Sequence, residues 1–283
     1  MKVSFFPGCS LEGTAREYGE SIEYICGSLG IELEELKDWT CCGASSAHCT
    51  NEFLSIALPA RNLACAEKLK QDLVTPCAAC FSRLRVAAEA LTRNDKQDLG
   101  IHFNGDISVL HILDFISKDV FTEKIEEKIK KPLTGLKAVS YYGCLLARPP
   151  EITKEKHWED PRGLDSLISR LGAESISWPY KTECCGGSLV LTNLEIEHRL
   201  VGRILDMALE AEADCIVTAC PLCQSNIDTR EEEIGAARGI SYNLPVFYFT
   251  ELMGLAFEST GANKWFKRHL VDPQPLLQSK GLM

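Results

Sequence analysis

The cysteines of this chain constrain its fold more than any other feature. One cysteine, then an adjacent pair followed by glycine, then a Cys-x-x-Cys motif occurs twice along the sequence, and in both copies 34 residues separate the pair from the Cys-x-x-Cys. Self-similarity of this length indicates an internal duplication. The ten cysteines of the two copies are Cys9, Cys41, Cys42, Cys77 and Cys80, then Cys144, Cys184, Cys185, Cys220 and Cys223.

The sequence around the cysteines is repeated as well. Short β-rich runs end at the opening cysteines and at the Cys-x-x-Cys motifs, and a third matched run closes each half. Helical stretches separate them, and alternating strands and helices predict parallel sheets in α/β layers. The paired runs are 3–9 with 139–144, 73–77 with 216–220, and 109–115 with 246–252; the helical stretches include 20–29, 53–70 and 194–211. We therefore predict two repeated, Rossmann-like parallel-sheet domains, with the cysteines at the carboxyl edges of the sheets.

A charged segment, residues 123–135, separates the two copies and contains a proline and a glycine near its end. It predicts a boundary near residue 133, with domains 1–133 and 134–283. The tail beyond Gly261 carries Trp265 and Phe266. Such a tail is expected to dock either on its own domain or on a partner.

Charge and composition narrow the chemistry of the cysteines. The chain has 283 residues, 14 cysteines and a formal net charge of −10, which argues against a nucleic-acid partner. No segment reaches the roughly 18 continuous apolar residues that a membrane span needs, and the apolar run at the N-terminus is shorter than a signal peptide requires. We therefore expect a cytoplasmic protein, in which thiols stay reduced and cysteines serve as metal ligands or redox groups.

Five thiols in each half exceed the needs of a structural zinc site, which takes four ligands. Adjacent side chains diverge on a strand or a helix, so a single ion has difficulty using both Cys41 and Cys42. An extended iron–sulfur cluster presents several irons and can bind both. Soft thiolates without paired histidines also favour iron–sulfur chemistry.

Three segments of the second copy resemble the B-type subunits of heterodisulfide reductases, a family that carries a duplicated "CCG" cysteine-rich domain. The segments are Tyr142-Gly-Cys-Leu-Leu-Ala-Arg-Pro149, Cys184-Cys-Gly-Gly187 and Cys220-Pro-Leu-Cys-Gln-Ser-Asn-Ile-Asp228. The resemblance implies two noncubane [4Fe-4S] clusters, each bound by the five cysteines of one half. It also implies an oxidoreductase that cleaves a small-molecule disulfide with two electrons, in methanogens the mixed disulfide of coenzyme M and coenzyme B.

The resemblance further implies partner subunits. Family members receive electrons through a small ferredoxin-like [4Fe-4S] subunit from a flavin-containing subunit, often with a hydrogenase or formate dehydrogenase attached. This chain has no further cysteine run of the ferredoxin type. It is therefore expected to depend on a partner for its electrons.

One position departs from the methanogen pattern. Leu145 follows the second opening cysteine, where methanogen members tend to carry a histidine suited to proton donation. For binding an anionic disulfide, Arg148 and Lys181 are the best-placed cations by sequence, and Arg16 and Arg83 are further candidates. His48 lies near the first cysteine pair. The cysteines outside the repeat are predicted not to be ligands, those in helical runs being small buried hydrophobes: Cys26, Cys49, Cys65 and Cys215.

Two alternatives stay open from the sequence. The chain could be an electron-transfer subunit that has no disulfide substrate of its own, an alternative that Leu145 supports. A zinc ion could also replace the cluster in at least one half, since CCG domains can bind zinc.

Overall fold

Two parallel sheets with the same strand order form the centre of the protein. The structure, a computed structural model, describes residues 1–44, 47–93 and 99–283. Within these ranges each sheet has four parallel strands, ordered second, first, third and fourth of its half. The strands are β1 (Lys2–Phe5), β2 (Glu32–Glu35), β3 (Leu73–Thr75) and β4 (Val109–His111), then β5 (Lys137–Tyr141), β6 (Glu174–Ile176), β7 (Cys215–Thr218) and β8 (Val246–Tyr248). The predicted α/β class with a repeated parallel sheet is confirmed.

Helices follow nearly every strand. In the first half they are α1 (Cys9–Glu12), α2 (Arg16–Leu29), α3 (Ala47–Thr50), α4 (Glu52–Lys68), α5 (Ala78–Thr92), α6 (Ile112–Ile116) and α7 (Thr122–Lys128), with a 3-10 turn at Asp119–Phe121. In the second half they are α8 (Cys144–Ala147), α9 (Pro150–Thr153), α10 (Gly163–Arg170), α11 (Leu194–Glu210), α12 (Pro221–Arg238), α13 (Phe249–Ala256), α14 (Ala262–Phe266) and α15 (Gln274–Ser279). The predicted helical stretches correspond to α2, α4 and α11.

Local chemistry explains where the long helices begin and end. Asn51 and Asn193 occupy equivalent N-cap positions before α4 and α11, and their side chains accept the backbone N–H of Leu54 and Ile196. The helix α2 ends at Gly30, which adopts a left-handed conformation. Strands β2 and β6, by contrast, were not predicted. They lie at sheet edges and are only partly buried, so their side chains lack the apolar alternation of a strand.

The two halves share one apolar core. Helix α2 of the first half packs against α13 of the second, and buried residues of both halves belong to a single cluster. The Ser21 and Thr250 hydroxyls form a buried hydrogen bond of 2.7 Å between these helices. We call this contact zone between α2 and the segment 248–256 the seam. The division of domains at residue 133 stays a prediction.

The C-terminal tail docks on its own chain and reaches the first half. Trp265 and Phe266 are buried, and the Trp265 ring meets Tyr24 of α2 edge-on at 5.9 Å. Lys264 and Arg268 both form ion pairs with Glu20 of the same helix. Of the two docking modes left open by the sequence, the structure shows the intramolecular one.

The length and polarity of the described helices bear on whether they can span a bilayer. Across residues 1–44, 47–93 and 99–283, none is both long and apolar enough to cross a membrane.

Candidate metal centres

Four of the repeated cysteines lie where strands end and helices begin, as predicted. Cys9 and Cys144 are the first residues of α1 and α8, each directly after a glycine with positive φ. Cys77 and Cys220 are the N-cap residues of α5 and α12. Because the strands of each sheet are parallel, their carboxyl ends bring these cysteines to one edge.

Within each half the thiols approach one another closely. The Sγ atoms of Cys42 and Cys80 lie 3.2 Å apart, and those of Cys185 and Cys223 lie 3.7 Å apart. These pairs are equivalent in the repeat, so the second cysteine of each adjacent pair meets the last cysteine of the Cys-x-x-Cys. In the second half, Cys144 Sγ also lies 3.9 Å from Sγ of the neighbouring pair member, Cys184.

The glycine after each cysteine pair shapes the turn that holds it. The backbone N–H of Gly43 donates to Cys41 Sγ at 3.4 Å, and the N–H of Gly186 donates to Cys184 Sγ at 3.3 Å. Both glycines have positive φ. A backbone amide directed at sulfur stabilises the thiolate, which is the form that binds metals.

Hydrogen bonds between thiols polarise the pairs. The pKa of Cys42 is lowered to about 7, chiefly because the Cys80 thiol donates to it. The pKa of Cys184 is lowered to about 6, chiefly by the hydrogen bond from Cys144 and further by the Gly186 amide. The donors Cys80 and Cys144 have raised pKa values for the same reason, reinforced by burial. Each half therefore combines a thiolate with neighbouring thiols that a metal could deprotonate.

The two sites meet in the middle of the molecule. Hydrogen bonding with Cys220 of the second half raises the pKa of Cys77, and hydrogen bonds from Cys223 and then from Cys77 lower the pKa of Cys220. Cys77 and Cys220 are both buried, whereas Cys9, Cys41 and Cys184 are exposed. Each site thus has an inner side against the other half and an outer side that faces solvent.

Sequence reasoning missed a residue that fixes the second site. The Asn226 side chain, 5% exposed, donates through Nδ2 to the backbone carbonyl of Cys185 at 2.7 Å. It thereby ties α12, which carries Cys223, to the turn of the cysteine pair. Arg83 occupies the equivalent position in the first half, where its charge is a minor cause of the lowered pKa of Cys42, after the Cys80 hydrogen bond and other effects. The sequence feature that could have identified Asn226 is its position three residues after the Cys-x-x-Cys, which is the position of Arg83 in the first copy.

The predicted substrate cations lie beside the second site but differ in availability. Lys181 is 6% exposed and its Nζ pairs with Asp160 at 2.7 Å and Asp165 at 2.9 Å, so its charge is compensated. The Arg148 guanidinium donates to Thr182 Oγ1 at 3.0 Å and lies over the Trp158 ring. Both assignments stay predictions, and the geometry favours Arg148.

The other sequence candidates occupy varied places. Arg16 donates to the carbonyl of Glu12 and lines a surface cavity of about 500 Å³. The exposed His48 Nε2 lies 3.3 Å from Cys49 Sγ. Cys26 and Cys215 are buried in the core, where burial raises the pKa of both thiols, as expected for cysteines that are small hydrophobes. Cys65 is half-buried, and so is Leu145.

The donor chemistry fits an iron–sulfur cluster in each half. In the described part of the chain, no three His, Cys, Asp or Glu side chains are arranged for a single metal ion. Each half instead contributes five thiols, two of them on adjacent residues, and thiols within a half approach one another in pairs. Soft thiolates alone, with amide donors directed at sulfur, are the ligands that iron–sulfur clusters take.

Comparison with protein families identifies this arrangement. The cysteine-rich domain named CCG matches the chain twice, over residues 3–85 and 138–228. The chain belongs to the CCG cysteine-rich domain family. Both matches include all five repeated cysteines of their half.

Relatives of this CCG protein are subunits of reductases. It is 31% identical to the 8-methylmenaquinol:fumarate reductase membrane anchor subunit of Wolinella succinogenes, over 97% of this chain and 99% of that one. It is 29% identical to the B subunit of the ferredoxin:CoB-CoM heterodisulfide reductase of Methanosarcina mazei, over 90% and 89% of the two chains. A protein of Archaeoglobus profundus named as similar to the heterodisulfide reductase B subunit is also 29% identical, over 90% of each chain. These names support an iron–sulfur reductase role for the CCG protein within a complex.

One solved structure resembles the whole CCG protein. It is a hypothetical protein from Helicobacter pylori, with a TM-score of 0.75 and 10% sequence identity. The match covers 96% of this chain and 52% of the other. At that identity it supports the fold alone.

Proposed function

We propose that this protein is the catalytic subunit of a heterodisulfide-reductase-like complex, reducing a small-molecule disulfide with two electrons. The observation that carries the proposal is that the two thiol sites adjoin between the halves: Cys77 and Cys220 are both buried, and the Tyr18 hydroxyl of the first half donates to the Ala219 carbonyl directly before Cys220. Cleavage of one disulfide requires two electrons. Two redox centres in direct contact suit that requirement better than one centre or two distant ones.

Two noncubane [4Fe-4S] clusters would be held by the repeated cysteines, five in each half. When bound, they supply one electron each and soft iron sites for sulfur. The ligands proposed are Cys9, Cys41, Cys42, Cys77 and Cys80 for the first cluster, and Cys144, Cys184, Cys185, Cys220 and Cys223 for the second.

The surrounding residues would serve binding and exclusion of water. The exposed side of each site admits a ligand past Cys9, Cys41 and Cys184, while the buried cysteines between the halves stay dry. Arg148 offers a positive charge beside the second site for an anionic disulfide. Leu145 cannot donate a proton, so the product thiolates take theirs from water or from another group at the exposed side.

The proposal includes partners. Electrons would arrive from a small ferredoxin-like subunit and a flavin-containing subunit, in some complexes with a hydrogenase or formate dehydrogenase. The relatives named as reductase subunits support membership of such a complex.

Metal analysis and single-turnover reduction test the proposal together. Anaerobically purified protein should contain about eight iron and eight sulfide ions per chain if each half holds a four-iron cluster. Adding a disulfide such as the coenzyme M–coenzyme B heterodisulfide to the reduced protein should change its visible spectrum and release two thiols. Absence of both changes would overturn the enzyme assignment, and zinc without sulfide would overturn the cluster in that half.

A pair of cysteine variants tests the ligand set. Cys185→Ser should lose about half of the iron, because it removes a ligand of the second cluster. Cys215→Ser is the matched control, since Cys215 is fully buried in β7 and outside the repeat. Equal iron loss in the two variants would contradict the assignment.

A second candidate is an electron-transfer subunit without a disulfide substrate, in a complex that oxidises a quinol. The relative from Wolinella succinogenes supports it, since the match extends over 99% of that subunit. Exposed leucines near the second site would suit an apolar partner or substrate: Leu191 (96% exposed), Leu194 (45%) and Leu222 (43%). Reduction of the oxidised protein by a menaquinol analogue, with no thiol release from disulfides, would favour this candidate over the first.

A further inference from the structure

A stacked pair of tyrosines crosses the seam beside the two sites. Tyr18 of α2 and Tyr248 at the end of β8 are both fully buried. Their rings are parallel within 3°, with centroids 4.0 Å apart. Each half contributes one ring, so the stack joins the halves directly.

The two hydroxyls bind groups on either side of the second Cys-x-x-Cys. Tyr18 donates to the carbonyl of Ala219 at 3.1 Å, one residue before Cys220. Tyr248 donates to Oε1 of Gln224 at 3.2 Å, one residue after Cys223. Hydrogen bonds thus hold both ends of the second Cys-x-x-Cys, and one of these bonds comes from the other half.

A different hydrogen bond holds the first Cys-x-x-Cys. His111, which is equivalent to Tyr248 in the repeat, lies 3.0 Å through Nε2 from the carbonyl of Pro76, one residue before Cys77. Its Nδ1 accepts the N–H of Leu113, so Nε2 carries the proton and donates. The hydrogen bond to the carbonyl before Cys77 therefore comes from its own half, whereas the hydrogen bond to the carbonyl before Cys220 comes from the other half.

We propose that Tyr18 is a positioning residue for the second site and sets its placement against the first. This inference rests on the proposed function, in which both halves hold clusters. The physical reason is that Ala219 precedes the cysteine that contacts Cys77. Without the Tyr18 hydroxyl, the Ala219 carbonyl loses its hydrogen bond of 3.1 Å across the seam, and Cys220 is free to shift relative to Cys77.

Substitutions at Tyr18 separate positioning from packing. Tyr18→Phe keeps the stacked ring and removes only the hydrogen bond, while Tyr18→Leu removes both. Tyr24→Phe is a matched control on the same helix, where the ring packs against Trp265 outside the two sites. All are made in the full chain, purified anaerobically, and assayed for iron, sulfide and electron paramagnetic resonance of the reduced protein.

We expect Tyr18→Phe to retain the wild-type iron and sulfide content and to shift the resonance of the second cluster and its magnetic interaction with the first. Combining Tyr18→Phe with Cys42→Ser, which leaves only the second cluster, should preserve the shift of that cluster; combining it with Cys185→Ser should leave the first cluster's signal unshifted. Tyr18→Leu should lose iron from the second half first, and Tyr24→Phe should match wild type.

Spectra of Tyr18→Phe identical to wild type would overturn the inference, as would equal shifts in both clusters. A Tyr18→Phe variant with wild-type iron content but a changed spectrum would indicate positioning, because a merely structural role would not produce that combination. Wild-type protein without iron and sulfide would instead refute the proposed function, and the two failures are therefore distinguishable. If Tyr18→Leu does not fold, the phenylalanine variant alone decides.

Discussion

At the scale of single residues, a glycine lies close to a cysteine sulfur in each of the two sites. A Cβ atom added to Gly143 would lie 2.9 Å from Cys223 Sγ, and one added to Gly8 would lie 3.1 Å from Cys80 Sγ. Both positions also have positive φ. The glycine before each opening cysteine therefore leaves room for the last cysteine of the Cys-x-x-Cys, and this room is part of the site.

Replacing Gly143 should damage the second site specifically. We expect Gly143→Ala to reduce the iron content of the second half, because the methyl group displaces Cys223 Sγ. Gly239→Ala is the control, since Gly239 has a similar φ of 68° but nothing within 4 Å of the added atom. It should cost about 1 kcal/mol of stability from the strained backbone and retain full iron. Equal iron loss in both variants would show that backbone strain alone explains the effect.

At the scale of elements, the sequence predicts the strands and helices that carry the cysteines and fails at the edges. Strands β1, β3, β5 and β7 are apolar and end at cysteines, so pattern and repeat agree. Strand β2 reads Glu-Leu-Glu-Glu and β6 is half-exposed, and only pairing with a neighbour makes them strands. The compensated charge of Lys181 was equally unpredictable, because Asp160 and Asp165 approach it only through tertiary folding.

The docking of the C-terminal tail could likewise be predicted only in part from the sequence. Its aromatic residues predict docking, but only the structure shows that the docking surface includes α2 of the other half. A buried ion pair stabilises it: His269 Nε2 lies 2.9 Å from Glu251 Oε1, and both side chains are fully buried. The charges of Asp228 and Glu17 also favour the protonated His269 imidazole. Arg268 in turn favours the charged form of Glu17. Asp228 also accepts the N–H groups of the two residues that follow His269.

This ion pair predicts a pH-dependent stability. Burial disfavours the charged imidazole, but the Glu251 carboxylate outweighs it and the pKa of His269 rises to about 9. Because the unfolded value is about 6.5, the stabilisation is complete below pH 6.5 and is lost as the pH rises through 9. The wild type should therefore lose, relative to His269→Gln, on the order of 3 kcal/mol of unfolding free energy across that window.

Chemical denaturation of both proteins at several pH values under anaerobic conditions measures this difference. Lys264→Gln is the control, because its ion pair with Glu20 joins the same tail to α2 through a lysine that is 67% exposed. Its difference from wild type should stay constant over the window. A constant difference for His269→Gln as well would mean that the imidazole is neutral in the folded protein.

At the scale of the whole molecule, the two sheets share a continuous core. Residues of α2, α6, α10 and α13 belong to one buried cluster, and the seam adds hydrogen bonds such as Ser21 with Thr250. Each half therefore presents an apolar face that the other half covers. Folding of either half is expected to depend on its neighbour.

Separate expression tests this dependence. Fragments 1–133 and 134–283 should each aggregate or remain poorly folded, because α2 and α13 would expose their packed faces to water. Co-expression should restore a soluble one-to-one complex with native-like circular dichroism. Two monomeric fragments with cooperative unfolding transitions would contradict the shared core and support independent domains.

The tyrosine stack at the seam requires two unlike halves. Two copies of the first half would set Tyr18 against His111, and two copies of the second would set Tyr248 against α10, which precedes the second strand of its half as α2 does and contains no tyrosine. Neither homodimer could form the stack, so the present halves are no longer interchangeable. Because both halves belong to one polypeptide, every molecule contains the matching partner for each ring.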